Sequence, residues 1–136
     1  MIIVLDTNVV ISGILSPYGR LAAILRLIVS GLLTPAYDQR ILGEYREVLT
    51  RPKFRFSEES VSDFLDQIEN EGMLVASKPL SFSLPDADDE PFLEVALSSE
   101  AVALITGNKR HFPKKIYGKT KILFPGEFLA LFSNKL

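Results

Sequence analysis

Six acidic or amide side chains stand at the predicted ends of strands or in the first turns of predicted helices. In a parallel α/β sheet, both kinds of position lie at the carboxyl edge of the strands, where such folds bind their ligands. Carboxylates crowded there repel one another unless a cation lies between them, and hard oxygen ligands suit Mg²⁺ or Mn²⁺. The sequence therefore predicts a divalent-metal centre, with ligands drawn from Asp6, Glu44, Asp86, Asp88, Asp89 and Asn108.

The chemistry open to such a centre is the hydrolysis of phosphodiesters. A bound divalent cation lowers the pKa of a water molecule and stabilises charge on phosphate oxygens, so no side-chain nucleophile is required. The chain contains no cysteine, no Gly-x-Ser-x-Gly elbow, no phosphate-loop lysine motif and no Gly-x-Gly-x-x-Gly fingerprint. Asp6 has no second aspartate two residues later and no adjacent acid, which disfavours phosphatase-like hydrolases and phosphoacceptor receiver domains.

The spacing of apolar residues predicts the strands and helices that carry these side chains. The run Ile2–Leu5 is continuous and rich in β-branched residues, as in a strand buried on both faces of a parallel sheet. Asp38 and Ser57 are expected helix N-caps, and Gly31 and Gly72 are expected helix stops. The remaining strands are predicted over residues 32–36, 73–76, 101–106 and 121–124. Helices are predicted over about 20–30 and about 126–133, and three more are expected to begin after residue 38, after residue 57 and at residue 91. This alternation predicts a single α/β domain over 1–136 with a mainly parallel sheet of about five strands.

Composition and charge restrict the class of protein. With 47% hydrophobic and 24% charged residues, the chain has the composition of a soluble globular protein rather than a disordered one. A net charge of −2 argues against a globally basic nucleic-acid binder. The window 101–126, however, contains six basic residues and no acid, and there Lys109 and Arg110 are candidate RNA contacts, although solvated surface charges explain them nearly as well.

The absence of cysteine excludes disulfides and thiolate metal sites, which fits a reducing compartment. The opening apolar run lacks basic residues and meets Asp6 after five residues, so we expect neither a signal peptide nor a membrane span. The protein is therefore expected to be cytoplasmic.

Four short motifs, taken in order, resemble those of the PIN domain family. Residues 48–54 extend the resemblance over nearly the whole chain, and it is greatest to the toxin-like branch related to VapC. Each motif alone is short, but their order and spacing together are specific. The motifs are Leu5-Asp6-Thr7-Asn8, Leu42-Gly43-Glu44, Asp88-Asp89-Glu90-Pro91-Phe92-Leu93 and Thr106-Gly107-Asn108.

This resemblance implies a fold, an activity and partners. PIN domains are magnesium- or manganese-dependent nucleases with three α/β/α layers, so the chain is expected to be an endoribonuclease of that architecture. The toxin-like branch implies the toxin of a type II toxin–antitoxin system, a cognate antitoxin protein and a homodimer. The implied site residues are Asp6, Glu44 and Asp89 as catalytic metal ligands, Asn108 at a fourth metal position, Asp86 as a weaker outer ligand, and Thr7 and Asn8 as supports of the site.

The chain departs from the family pattern at two positions. Many relatives carry aspartate where this chain has Asn108, and a further acid where it has His111. Fewer negative charges then surround the metal, which puts a second ion in doubt. The departure leaves an alternative open, in which a PIN-like module binds RNA or protein but has little catalytic activity.

Overall fold

The computed structural model describes residues 1–133, which form a six-stranded sheet, six α-helices and three short 3₁₀ helices. The strands are β1 (Ile2–Leu5), β2 (Thr34–Tyr37), β3 (Met73–Leu74), β4 (Ala103–Ile105), β5 (Ile116–Tyr117) and β6 (Thr120–Leu123). The α-helices are α1 (Thr7–Gly13), α2 (Arg20–Val29), α3 (Gln39–Leu49), α4 (Glu58–Glu71), α5 (Glu90–Ser98) and α6 (Pro125–Ser133). The 3₁₀ helices are Pro52–Phe54, Ala87–Asp89 and Lys109–His111. None of the helices within residues 1–133 combines the length and apolar character needed to cross a bilayer.

The strand order β3-β2-β1-β4-β6-β5 places a crevice at the centre of the sheet. All neighbouring strands are parallel except the β5–β6 hairpin. After β1 the chain moves outward through β2 and β3, and then returns to the other side of β1 with β4. Such a reversal opens a ligand-binding crevice beyond the carboxyl ends of the two central strands. Asp6 follows β1 and Thr106 follows β4, so both residues stand at this crevice.

Helices cover both faces of the sheet. Ile3, Val4 and Leu5 are each at most 1% exposed, and successive side chains of a strand point to opposite faces. Helix α5 packs on β1, β2 and β4, whereas α6 packs on β4 and β6. The predicted α/β fold with a mainly parallel sheet is therefore confirmed. The sheet has six strands rather than about five because β5 adds an antiparallel edge.

Local signals predict five of the six α-helices but miss α1, β5 and the three 3₁₀ helices. Asp38 and Ser57 accept N-cap hydrogen bonds from the backbone N–H groups of Ile41 at 3.0 Å and Ser60 at 3.1 Å, so both predicted caps are confirmed. The prediction did not include α1, which begins immediately after Asp6. Its seven residues form no long apolar stripe, and polar residues at its start are also typical of turns. The two-residue strand β5 was missed because it has no periodicity of its own.

A partly buried ion-pair network joins α3, α5 and the loop after β3. The guanidinium of Arg40 lies 2.7 Å from carboxylate oxygens of both Asp38 and Glu94. The other Glu94 oxygen accepts a hydrogen bond from the backbone N–H of Leu80 at 3.0 Å. The network thereby holds the start of α3 and the loop that leads to Asp89 against the same helix.

Tyr45 ties α3 to the end of β1. Its ring is buried, packs edge-on against Phe64 at a centroid distance of 5.4 Å, and its hydroxyl donates a hydrogen bond to the carbonyl oxygen of Leu5. Leu5 immediately precedes Asp6, and Tyr45 immediately follows Glu44. This single bond therefore helps to fix the two acids relative to each other.

We expect Tyr45→Phe to lower the free energy of unfolding by about 1–3 kcal/mol, because a buried carbonyl loses its partner. Tyr37→Phe is the matched control: Tyr37 is also buried, but its hydroxyl forms no hydrogen bond within the described chain, so a change of less than about 0.5 kcal/mol is expected. Urea unfolding of both variants measures the difference. Equal losses in the two variants would show that the Tyr45 hydroxyl bond does not stabilise the fold.

Candidate metal centre

Asp6 lies buried at the crevice with its carboxylate held by two neighbours. Its Oδ2 accepts hydrogen bonds from the hydroxyl of Thr106 at 2.8 Å and from the amide of Asn8 at 3.2 Å. The residue is 4% exposed, and this burial raises the pKa of Asp6 although the hydrogen bonds act in the opposite direction. The fold thus holds an oriented carboxylate where ionisation is unfavourable without a further positive charge.

Asp89 reaches the same crevice from the start of α5. Asp86 begins the preceding 3₁₀ helix and accepts a hydrogen bond from the backbone N–H of Asp88 at 2.9 Å, which shapes the turn. Asp86 and Asp88 are exposed, whereas Asp89 is 8% exposed. Burial and the nearby charge of Asp6 raise the pKa of Asp89 from 3.8 to about 6, against the opposing effect of His111.

Glu44 brings a third carboxylate near the crevice, from the middle of α3, but it is not among the ligand atoms of Asp6, Asp89 and His111 that lie within 4.8 Å of one another. Its Oε2 accepts a hydrogen bond from the hydroxyl of Thr7 in the first turn of α1. The side chain is half-buried, and desolvation followed by the charge of Asp6 raises the pKa of Glu44. Thr7 therefore orients Glu44 much as Thr106 orients Asp6.

Asn108 and His111 form the fourth corner of the crevice. The Asn108 side-chain oxygen accepts a hydrogen bond from the backbone N–H of Arg110 at 3.1 Å, so its amide nitrogen faces His111 Nε2, also at 3.1 Å. An amide nitrogen only donates, which makes Nε2 an acceptor and assigns the imidazole proton to Nδ1. Nδ1 lies 3.2 Å from Asp89 Oδ2. Asn108 is thus engaged at both ends of its amide and contacts His111 rather than the two aspartates.

The arrangement fits a divalent cation. Asp6, Asp89 and His111 each offer one ligand atom within 4.8 Å of the others, close to the spacing of about 3–4 Å between ligands of one octahedral ion. Asp89 Oδ2 and His111 Nδ1 are buried without a hydrogen-bond partner, despite their close approach. A cation between the carboxylates would give Asp89 Oδ2 a partner and would cancel the repulsion between the two acids. With its proton on Nδ1, His111 faces Asp89 without a hydrogen bond between them, whereas ligation through Nδ1 requires that proton to move to Nε2.

The two basic residues predicted to contact RNA differ in their surroundings. Lys109 Nζ lies 2.6 Å from a Glu127 carboxylate oxygen and 4.6 Å from the ring centroid of Phe124, so its charge is already paired. This ammonium also lowers the pKa of Glu127. Arg110 is exposed and forms no ion pair with any acid of residues 1–133. Of the two, Arg110 is the more accessible to a phosphate.

Two site residues escaped the sequence reasoning. Thr106 was part of a motif but received no role, although its hydroxyl donates to Asp6 and accepts from the backbone N–H of Asn108 at 3.1 Å. His111 was noted only as a departure from the family pattern. Its position three residues after Asn108, the spacing of one 3₁₀ turn, is the signal that pairs the two side chains.

One comparison with known proteins identifies a related family. Residues 2–110 match the family model PIN_3, described as a PIN domain. The matched region runs from β1 through Arg110 and contains every site residue predicted from the sequence. A search of curated proteins found no match.

The raised pKa of Asp89 makes the stability of the metal-free protein depend on pH. Because its pKa of about 6 in the folded chain exceeds 3.8, the folded chain binds this proton more tightly than the unfolded chain. That stabilisation is complete below about pH 4 and is lost as the pH rises through about 6. In chelator-treated protein, Asp89→Asn should therefore become more stable relative to wild type as the pH rises from about 5 to about 7.

Thermal unfolding of both proteins across this pH range measures the relative stability. Asp88→Asn is the matched control, because it removes an exposed carboxylate from the adjacent position. Its stability relative to wild type should change little with pH. A flat difference for Asp89→Asn would contradict the unfavourable burial of an ionised Asp89.

Proposed function

Because the chain belongs to the PIN domain family, whose members are generally metal-dependent nucleases, we propose that it is an endoribonuclease that requires Mg²⁺ or Mn²⁺. The observation that carries this proposal is the pair of buried carboxylates, Asp6 and Asp89, at the crevice between β1 and β4. Such a pair is unfavourable in the folded chain unless a cation compensates its charge. A carboxylate whose pKa is raised by burial and by a neighbouring charge, in a crevice, is a candidate for a functional site.

In this proposal, Asp6 and Asp89 are the principal ligands and Glu44 completes the set of carboxylates. Hydrogen bonds from Thr106 to Asp6 and from Thr7 to Glu44 support these roles, because both carboxylates are oriented by the protein alone. Ligands held in this way lose little conformational freedom when the ion binds. The exposed Asp86 contacts at most water molecules bound to the cation, not the cation itself.

When bound, the cation supplies an acidified water molecule and stabilises negative charge on the phosphodiester. The protein side chains hold and orient the charges around the scissile bond. His111 places its Nδ1 atom 3.2 Å from Asp89 Oδ2, and Asn108 keeps the imidazole in that position. Asn108, predicted as a fourth metal position, thus acts through His111 in this proposal rather than as a direct ligand.

A second candidate function is a PIN-like module that binds RNA or protein with little catalysis. One observation favours it: the fourth corner holds a neutral amide that is already satisfied by Arg110 and His111. Three carboxylates remain, however, which is enough to bind one hard cation together with water molecules. Binding of metal without cleavage of RNA would therefore support this second function.

The toxin role is a further part of the proposal. It rests on the resemblance of the sequence motifs to the VapC-like branch, and it includes a cytoplasmic location, a homodimer and inhibition by a cognate antitoxin. A ribonuclease with these properties arrests growth when it is expressed without its inhibitor. The same inactive variant therefore tests both the enzyme and its cellular effect.

We expect Asp6→Asn to abolish metal-dependent cleavage of RNA, because it removes one charge from the principal pair of ligands. The loss should exceed the roughly 10- to 100-fold effect typical of outer-shell partners. Cleavage of a single-stranded RNA with Mg²⁺, Mn²⁺ or a chelator measures it, and induced expression reports growth arrest by the wild type alone.

Asp66→Asn, an exposed acid on α4, is the control for both assays and should behave as wild type. Purifying all three proteins in parallel accounts for contaminating nucleases. Equal cleavage by wild type and Asp6→Asn would sink the nuclease proposal. Cleavage without growth arrest would reject only the toxin role.

The hydroxyl of Thr106 is expected to raise the affinity for metal by orienting Asp6. Thr106→Val keeps the shape of the side chain but removes the hydrogen bond, and should weaken Mn²⁺ binding about 10- to 100-fold. Thr106→Ser retains a hydroxyl and should restore most of the affinity. Titration calorimetry with Mn²⁺ measures both, and similar affinities for the Val and Ser variants would remove the positioning role of Thr106.

A further inference from the structure

A surface cavity of about 560 Å³ lies beside the proposed metal centre, between the α1–α2 loop and the segment after β4. Ligand pockets commonly enclose about 300–1,000 Å³, so this volume can hold one or two units of a polymeric ligand. Its lining combines hydroxyl groups, an aromatic ring and a guanidinium, and it includes Ser12, Ser16, Tyr18, Arg20 and Gly107.

One side chain, that of Asn8, links this cavity to the acidic crevice. The Asn8 side-chain oxygen accepts a hydrogen bond at 2.8 Å from the backbone N–H of Gly107, which lines the cavity. The amide nitrogen of the same Asn8 donates to Asp6 at 3.2 Å. A side chain at position 107 would meet Asn8, since a Cβ built there would lie 3.2 Å from its oxygen. Asn8 therefore connects a residue that lines the cavity to a proposed metal ligand.

Arg20 brings an uncompensated positive charge to the cavity. Within residues 1–133 no acid forms an ion pair with it, whereas Arg40, Arg46 and Arg51 all have carboxylate partners. Its guanidinium lies against Gly126, where a Cβ would stand 3.1 Å from the Arg20 Cζ and Nε atoms. The absence of a side chain at 126 gives the guanidinium its place. An arginine held beside an acidic centre is suited to a phosphate that the acids alone would repel.

Tyr18 presents an aromatic ring to solvent from an ordered loop. It is 95% exposed, so burial in the core does not explain it. Backbone hydrogen bonds from Ser16 N–H to the Gly13 carbonyl at 3.1 Å and from Gly19 N–H to the Ser16 carbonyl at 3.3 Å shape the loop. An exposed ring on a defined loop, next to a cation, is the pattern that stacks on an unpaired base.

We propose that this cavity binds the nucleotide next to the scissile phosphate of single-stranded RNA. Arg20 contacts the phosphate of that nucleotide and Tyr18 stacks on its base. A base can stack on Tyr18 only when it is unpaired, so the cavity selects single strands over duplex RNA. The inference rests on the proposed ribonuclease function and specifies the side of the crevice along which the RNA runs and the residues that hold it.

Binding of a short fluorescent RNA, measured in full-length protein carrying Asp6→Asn to keep the RNA intact, tests the proposal. Adding Tyr18→Ala should weaken the affinity for the single strand by about 5-fold or more, while Tyr18→Phe retains it. Arg20→Ala should weaken binding and reduce the slope of log affinity against log salt by about 0.7. Arg46→Ala, which removes an exposed arginine of α3 that pairs with Glu69 of α4, is the charge-matched control and should leave the slope unchanged.

The same substitutions in the active background distinguish the two proposals. Raised KM with little change in kcat in Tyr18→Ala supports the cavity, and wild-type KM in both variants overturns it while the nuclease stands. Tyr18-dependent binding by a chain that cuts no RNA supports the cavity and rejects the nuclease. An equal effect of Tyr18→Ala on a duplex of the same sequence overturns selection for single strands. Unchanged thermal midpoints verify that the exposed substitutions leave the fold intact.

Discussion

Repulsion between two buried carboxylates is the constraint around which this structure is arranged. Asp6 and Asp89 come from elements separated by more than half of the chain, and burial raises the pKa of both. Packing them into one crevice is unfavourable, so the rest of the fold must supply the stability that offsets it. Within residues 1–133 no lysine or arginine pairs with either carboxylate, and His111, whose Nδ1 lies 3.2 Å from Asp89, carries a compensating charge only when it is doubly protonated. A cation relieves this constraint directly.

Each acid is held by a separate contact across the fold. Thr106 orients Asp6 from the neighbouring strand, and Thr7 orients Glu44 from the start of α1. The Tyr45–Leu5 hydrogen bond and the Arg40 network fix the helices that carry the acids. Because these contacts involve elements on both sides of β1, the geometry of the centre depends on the whole sheet rather than on any one loop.

The acidic centre also creates a problem for an anionic substrate. A phosphodiester approaching Asp6 and Asp89 experiences repulsion until a cation binds, and the net charge of −2 offers no global attraction. Attraction of an anionic substrate therefore depends on individual basic side chains near the crevice rather than on the net charge of the protein. Lys109 is paired with Glu127, whereas Arg20 and Arg110 form no ion pair within residues 1–133. In the proposed ribonuclease, these two arginines would give the RNA two contacts near the crevice.

The sequence by itself determined the class of fold, most element boundaries and the acidic candidates. Buried strands, caps such as Asp38 and stops such as Gly72 are read from neighbouring residues, because the physics that forms them is local. Placing Asp6 and Asp89 at one edge needed only the rule that parallel strands share a carboxyl end.

Tertiary structure alone decided which side chains touch. Thr106 reaches Asp6 across 100 residues because β4 returns beside β1, and no local pattern encodes that reversal. The same holds for the Asn108–His111 pair facing Asp89 and for the cavity that Tyr18 and Arg20 form with Gly107. Such contacts follow from strand order and helix packing, which depend on the free energy of the whole chain.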